Sequence, residues 1–156
     1  MNATDDSLMI NTALHNLKGA SVEQVYQSLT RQAALGTGVR ETYIQLRLME
    51  QERRATSGIG NGVAIPQMRL KKITQPYMLL AKLARPIDFN AVDRAPVDLV
   101  FLLLSPDNAV AAHLQRLSRI SRLLRNPALC NGLRDVASPD GMAALMMGAQ
   151  GLRRAA

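Results

Sequence analysis

An α/β fold with a sheet of about four or five strands and helices on both faces is what the sequence predicts. Three observations carry it. Val97 to Leu104 is the most apolar run in the chain, interrupted only by Asp98, and reads as a central strand buried on both faces. Shorter apolar runs bounded by Gly and Pro, Val63-Ala64-Ile65 and Tyr77 to Leu83, supply its neighbours. Segments of helical period with recognisable caps precede and follow these runs.

The elements follow in order. Met1 to Ser7 is polar and expected to be loose. A short first strand is expected around Thr12 to Leu14. Ser21-Val22-Glu23-Gln24 fits a capping box, with Gln24 reaching back. Val22, Val25, Tyr26, Leu29 and Ala33 then share one helical face, and Gly36 is expected to stop the helix. Thr37 is placed to cap a second helix with Val39, Tyr43, Leu46 and Met49 inward, widened by Ile44 and Leu48. That helix is expected to dissolve in the charged run Gln51 to Arg54, just before a glycine loop.

The glycine loop is the most informative stretch. Gly58-Ile59-Gly60-Asn61-Gly62 bends the chain, and Asn61-Gly62 is a strong turn dipeptide. Val63 to Ile65 follows as a very short buried strand, and Pro66 ends it by removing a ladder donor. Gln67 is thereby delivered at a strand end beside a tight loop, with a basic turn, Arg69 to Lys72, after it. Its amide nitrogen has a delocalised lone pair, so Gln67 is a poor nucleophile and a poor base.

Downstream, Arg85-Pro86-Ile87-Asp88-Phe89 breaks one strand, and Ser105-Pro106-Asp107-Asn108 ends the central one and starts a helix. Leu114, Leu117, Ile120, Leu123 and Leu124 form the expected inner face of that helix, with Arg116, Arg119 and Arg122 over much of the rest. Asn126-Pro127 and Ser138-Pro139 start two further helices, the second expected to stop at Gly148. One domain over 1–156 is expected, with its core at about 8–148.

Composition narrows the function classes. No run approaches the ~18 apolar residues of a membrane span, and the start lacks the basic and apolar regions of a signal peptide, so a cytoplasmic protein is expected. The single cysteine, Cys130, excludes an internal disulfide and makes no metal site alone; no metal or cofactor is implied. The net charge of +7 points to an acidic partner or to solubility. With no tryptophan, three tyrosines and two phenylalanines, stacking on single-stranded nucleic acid is disfavoured. Among titratable residues, His113 stands out, near the start of the helix that follows the most buried strand, where open α/β sheets usually hold their sites.

The run Gly58 to Pro66 closely resembles the active-site loop of IIA components of the bacterial phosphotransferase system, in the mannitol/fructose branch that includes the nitrogen-regulatory member. Arg85 to Phe89, Pro96 to Phe101 and His113-Leu114 with Leu117-Ser118 agree in the same order, and the resemblance covers roughly 21–147. It implies a mixed sheet of about five strands between helices. It also implies phosphoryl transfer from the small phosphocarrier protein to a histidine directly after Ile-Pro. Here that position is Gln67. An arginine expected sixteen residues earlier is Gln51, with Arg53 and Arg54 as the nearest cations able to stand in, and the usual following glycine is Met68. The second active-site histidine matches His113. The glycine-loop residues Gly58, Gly60, Asn61 and Gly62 belong to the implied phosphate site. In-line transfer needs a nucleophile, which an amide does not provide. The resemblance therefore implies a degenerate regulatory binding module whose partners are the phosphocarrier protein, a regulatory target protein, or both, with self-association left open. The alternative is an active phosphocarrier with His113 as acceptor.

Overall fold

A computed structural model describes residues 8–155, and the side chains of 8–151. The elements are β1 (Thr12–Leu17), α1 (Val22–Thr37), α2 (Glu41–Arg54), β2 (Gly58–Gly60), β3 (Val63–Ala64), β4 (Gln67–Leu70), β5 (Tyr77–Ile87), β6 (Val97–Pro106), α3 (Val110–Leu123), α4 (Pro127–Asp135) and α5 (Pro139–Ala155). The strands form one mixed sheet of six, one more than expected, in the order β1-β5-β6-β3-β2. β5 runs antiparallel to β6, while β3 and β4 follow one another along its other side, both parallel to it.

β6 is buried along almost its whole length, as its apolar run, interrupted only by Asp98, requires. Val100, Leu102 and Leu104 face one core with Tyr26, Leu29, Ile44 and Leu48 of α1 and α2. Leu99, Phe101 and Leu103 face a second core with Ile120, Leu133, Met142 and Met146 of α3, α4 and α5. Each such side chain, moved fully out of water, stabilises the fold by roughly 1.5–3 kcal/mol. The strand alternation thus sorts the helices into two layers.

Local chemistry moves several expected boundaries. The capping box forms in a shifted variant: Ser21 Oγ accepts from the Gln24 N–H at 3.2 Å, while Gln24 Oε1 reaches one residue past the cap to accept from Ala20 N at 2.8 Å. α1 passes Gly36 and ends at Gly38, which takes φ +76° and bonds back to Ala34 O. Gly36 instead gives room to the Tyr77 ring, which a Cβ would meet at 2.5 Å. Thr37 lies inside α1 and bonds to Ala33 O, so α2 starts without a side-chain cap. Its inner residues are Ile44 and Leu48, with Tyr43 and Leu46 exposed. The helix persists through the charged run to Arg54.

The expected basic turn at Arg69 is strand β4, with Met68 and Leu70 buried and Arg69 outward. β5 continues through Pro86 to Ile87, across a register shift where a ladder donor is not required. On α3, His113 rather than Leu114 is buried. α5 runs past Gly148 to Ala155.

The Asn61-Gly62 turn closes a hairpin between β2 and β3. Gly60, Asn61 and Gly62 all take positive φ. Asp93 accepts from Asn61 N at 2.8 Å. On the other side Arg134 holds both Asp98 oxygens through Nε, at 3.0 and 2.9 Å, and donates from Nη2 to Asn61 O at 2.8 Å. A Cβ at Gly62 would meet Arg134 Nη2 at 2.6 Å and Asp98 Oδ1 at 3.0 Å. Gly62→Ala is therefore expected to lower the unfolding free energy by about 1–3 kcal/mol in urea denaturation. Gly148→Ala, in open space within α5, is expected to raise it by about 0.5–1 kcal/mol.

Candidate functional site

Gln67 opens β4 immediately after Pro66. Pro66 has no N–H, so the pairing of β3 and β4 along β6 is interrupted there, although its carbonyl still accepts from Leu103 N at 3.0 Å. The register places Gln67 opposite Leu103, near the carboxyl end of β6. The same end of β6 carries Ser105, and the short connection after it leads into α3, whose first turn carries His113.

These three residues form a chain. His113 Nδ1 lies 2.7 Å from Ser105 Oγ, and His113 Nε2 lies 2.5 Å from Gln67 Oε1. Ser105 is fully buried and His113 is 5% exposed, and both ring nitrogens have hydrogen-bond partners. Burial lowers the His113 pKa from its ordinary value, and the positive charges of Arg69 and Arg116 push it further the same way. The imidazole is therefore neutral at pH 7.

A cleft of about 450 Å³ opens beside Gln67. Gln51 and Arg54 of α2, Ser57, and Leu117 and Ser121 of α3 line it with Gln67. A second network shapes its wall. Glu52 Oε1 accepts from the Tyr26 hydroxyl at 2.5 Å, and Glu52 Oε2 accepts from Ser57 N at 2.9 Å. Burial, reinforced by the Glu52 charge, raises the Tyr26 pKa far above its ordinary value, so Tyr26 stays a donor. Glu52 thereby ties α1 and α2 to the segment entering β2.

The structure brings together Gln67, His113, Gln51 and Arg54 of the expected site. Arg54 is exposed and lies 3.7 Å from Glu50, an i,i+4 surface pair that contributes little. Arg53 lies apart, in a separate cleft with Glu23, Gln27 and Thr30 between α1 and α2. Gly58, Gly60, Asn61 and Gly62 do not line the cleft beside Gln67. They build the hairpin, and the Asn61 N–H is already donated to Asp93. Cys130 is buried on α4, with its thiol on Leu124 O.

Three residues that shape the site and its hairpin carry little signal in the sequence. Ser105 is the polar residue at the end of the most apolar strand, eight positions before His113, and that placement is its only signal. Glu52 sat within a charged run. Asp98 was visible as the lone charge in the central strand, and its partner Arg134 lies 36 residues away. Among the described residues no group of three or more His, Cys, Asp or Glu could hold a metal ion. No helix there is long and apolar enough to cross a membrane.

The sequence matches, over residues 8–147, the family described as phosphoenolpyruvate-dependent sugar phosphotransferase system, EIIA 2. It is 46% identical over 127 residues to the nitrogen regulatory protein of Bradyrhizobium diazoefficiens, covering 81% of this chain and 82% of that protein. The nitrogen regulatory protein of Pseudomonas aeruginosa is 31% identical over 140 residues, covering 88% and 90%. The crystal structure of nitrogen regulatory protein IIA-Ntr from Neisseria meningitidis superposes with a TM-score of 0.81 at 25% identity, covering 86% of this chain and 92% of that one. The Escherichia coli mannitol IIA, in its complex with phosphorylated IIB, shares the fold with a TM-score of 0.74 at 19% identity, covering 87% and 94%.

The lowered His113 pKa has a sign. The unfolded chain takes up the proton near pH 6.5, the folded chain only at a lower pH. The contribution of neutral His113 to stability is thus complete above pH 6.5 and is lost as pH falls through the folded value. Histidine ring NMR is expected to give a His113 midpoint below 6.5. Denaturation at stepped pH is expected to show stability falling over that window, less steeply in His113→Gln.

Proposed function

The chain belongs to the EIIA 2 family of the phosphoenolpyruvate-dependent sugar phosphotransferase system, and on that premise we propose that it is a nitrogen-regulatory-type IIA protein acting as a binding module without phosphotransfer. One observation carries this reading. At the position directly after Ile65-Pro66 stands an amide, Gln67, and that amide occupies Nε2 of the neighbouring histidine. A phosphoryl group arriving in line meets no nucleophilic nitrogen at residue 67, because the amide nitrogen's lone pair is delocalised.

The surroundings support the same reading. Position 51 is an uncharged glutamine, Arg54 is drawn toward Glu50 in solvent, and Arg53 faces another cleft. The cleft beside Gln67 is open, walled by the Tyr26–Glu52–Ser57 network. A protein partner can therefore dock where a phosphoryl group is not received. The chain would rest permanently in a form like the unphosphorylated family member, in the cytoplasm, with the phosphocarrier protein or a regulatory target as partner. The nitrogen-regulatory names of its relatives favour regulation over sugar transport.

A second reading makes His113 the acceptor. Arg69 and Arg116 lie near enough to lower its pKa, and the same charges would attract a phosphoryl group. It requires Gln67 to leave Nε2, because Nδ1 is held by the buried Ser105.

Intact-protein mass spectrometry after incubation with phosphoenolpyruvate and the upstream phosphotransferase proteins separates the two. No adduct is expected on the natural chain, and an acid-labile phosphoryl adduct is expected on Gln67→His, showing an intact docking surface. An adduct on the natural chain that is lost in His113→Ala would establish the second reading. An adduct on neither would leave phosphocarrier docking unsupported.

A further inference from the structure

The Ser105–His113–Gln67 chain has a direction, and it is set at its buried end. Ser105 is 0% exposed, and its hydroxyl has one hydrogen-bond partner among the described residues, His113 Nδ1 at 2.7 Å. A buried hydroxyl that only accepted would leave its own proton unpaired in the core, which is strongly disfavoured. The hydroxyl therefore donates, and Nδ1 accepts. A neutral imidazole that accepts at Nδ1 carries its proton at Nε2. Nε2–H donates in turn to residue 67, so the Gln67 carbonyl oxygen faces the ring and the Gln67 –NH₂ faces the cleft.

We infer that Ser105 is a positioning residue that fixes His113 as the Nε2–H tautomer and so turns the Gln67 amide nitrogen toward the partner-binding cleft. The inference rests on the binding-module reading of Gln67 and adds a polarity to it. A phosphoacceptor would offer a lone pair there; this site offers N–H donors. The cleft therefore fits a hydrogen-bond acceptor on the partner, a carbonyl or carboxylate oxygen. The rest of the lining agrees. The Glu52 carboxylate, the strongest competing acceptor in the cleft wall, already accepts one hydrogen bond on each oxygen, from Tyr26 and Ser57. Gln51, Arg54 and Ser121 can all donate. Ser105 reaches the cleft only through His113, because the β6 strand holds its Oγ on the α3 side of the sheet with Leu103 and Phe101.

Nitrogen-15 NMR of the histidine ring and glutamine side chain in the full chain, near neutral pH, tests this. In the natural protein His113 is expected to show a proton-bearing Nε2 and a lone-pair Nδ1, and the Gln67 –NH₂ protons are expected to exchange readily with solvent. In Ser105→Ala the two ring signals are expected to move toward each other as both tautomers become populated. Ser105→Thr, which restores the hydroxyl, is expected to return the natural pattern. A proton on Nδ1 in the natural chain would overturn the inference, and this measurement stands alone if the alanine variant does not fold. An unchanged Nε2–H pattern in a folded Ser105→Ala would also overturn it, since Ser105 would then not set the tautomer. A phosphoryl adduct on the natural chain would defeat the binding-module reading without deciding the tautomer, so the two failures are distinguishable.

Discussion

Two-sided burial of β6 is the constraint on which the rest of the structure depends. Its side chains alternate between a core shared with α1 and α2 and a core shared with α3, α4 and α5. Both polar residues near its ends have defined partners. Asp98, near its start, takes Arg134 of α4 and through it steadies the Asn61-Gly62 turn. Ser105, near its end, takes His113 of α3 and through it Gln67. The strand thus fixes the hairpin at one end and the candidate site at the other. A buried polar group must find a partner, and each partner here lies on a helix or loop that the apolar core has already placed.

Much of this was legible in the sequence, for identifiable reasons. The run Val97 to Leu104, apolar but for Asp98, announced a strand buried on both faces. Ser21 with Gln24, and Asn126-Pro127, marked helix starts because their capping chemistry is local. Boundaries failed where tertiary contacts decide. Gly36 reads as a stop, yet it serves the Tyr77 ring, and the stop passes to Gly38, which takes the left-handed conformation. Arg69 to Lys72 reads as a turn because two basic residues flank Leu70, but pairing with β6 draws Gln67 to Leu70 into the sheet.

The candidate site was legible only in part. Gln67 and His113 were singled out 46 positions apart, and the structure places them in hydrogen-bond contact. The glycines were placed at the phosphate site by the resemblance, and a glycine-rich run carries the same signal whether it binds an anion or closes a hairpin. In the structure they close a hairpin held by Asp93 and Arg134, both remote in sequence. Arg53 and Arg54 were indistinguishable as charges in a row, but a helix turns adjacent residues ~100° apart, which sends Arg53 to the α1–α2 groove and leaves Arg54 at the cleft.

The resulting picture is a family fold with an open cleft beside Gln67, whose amide is engaged with a neutral imidazole. A regulatory role follows if partners recognise this fixed state. The most direct measurement is phosphorus-31 NMR of the natural chain with phosphoenolpyruvate and the upstream phosphotransferase proteins. The amide at residue 67 and the occupied imidazole at 113 predict no phosphoramidate resonance from this chain; a phosphoramidate resonance from it would contradict the reading.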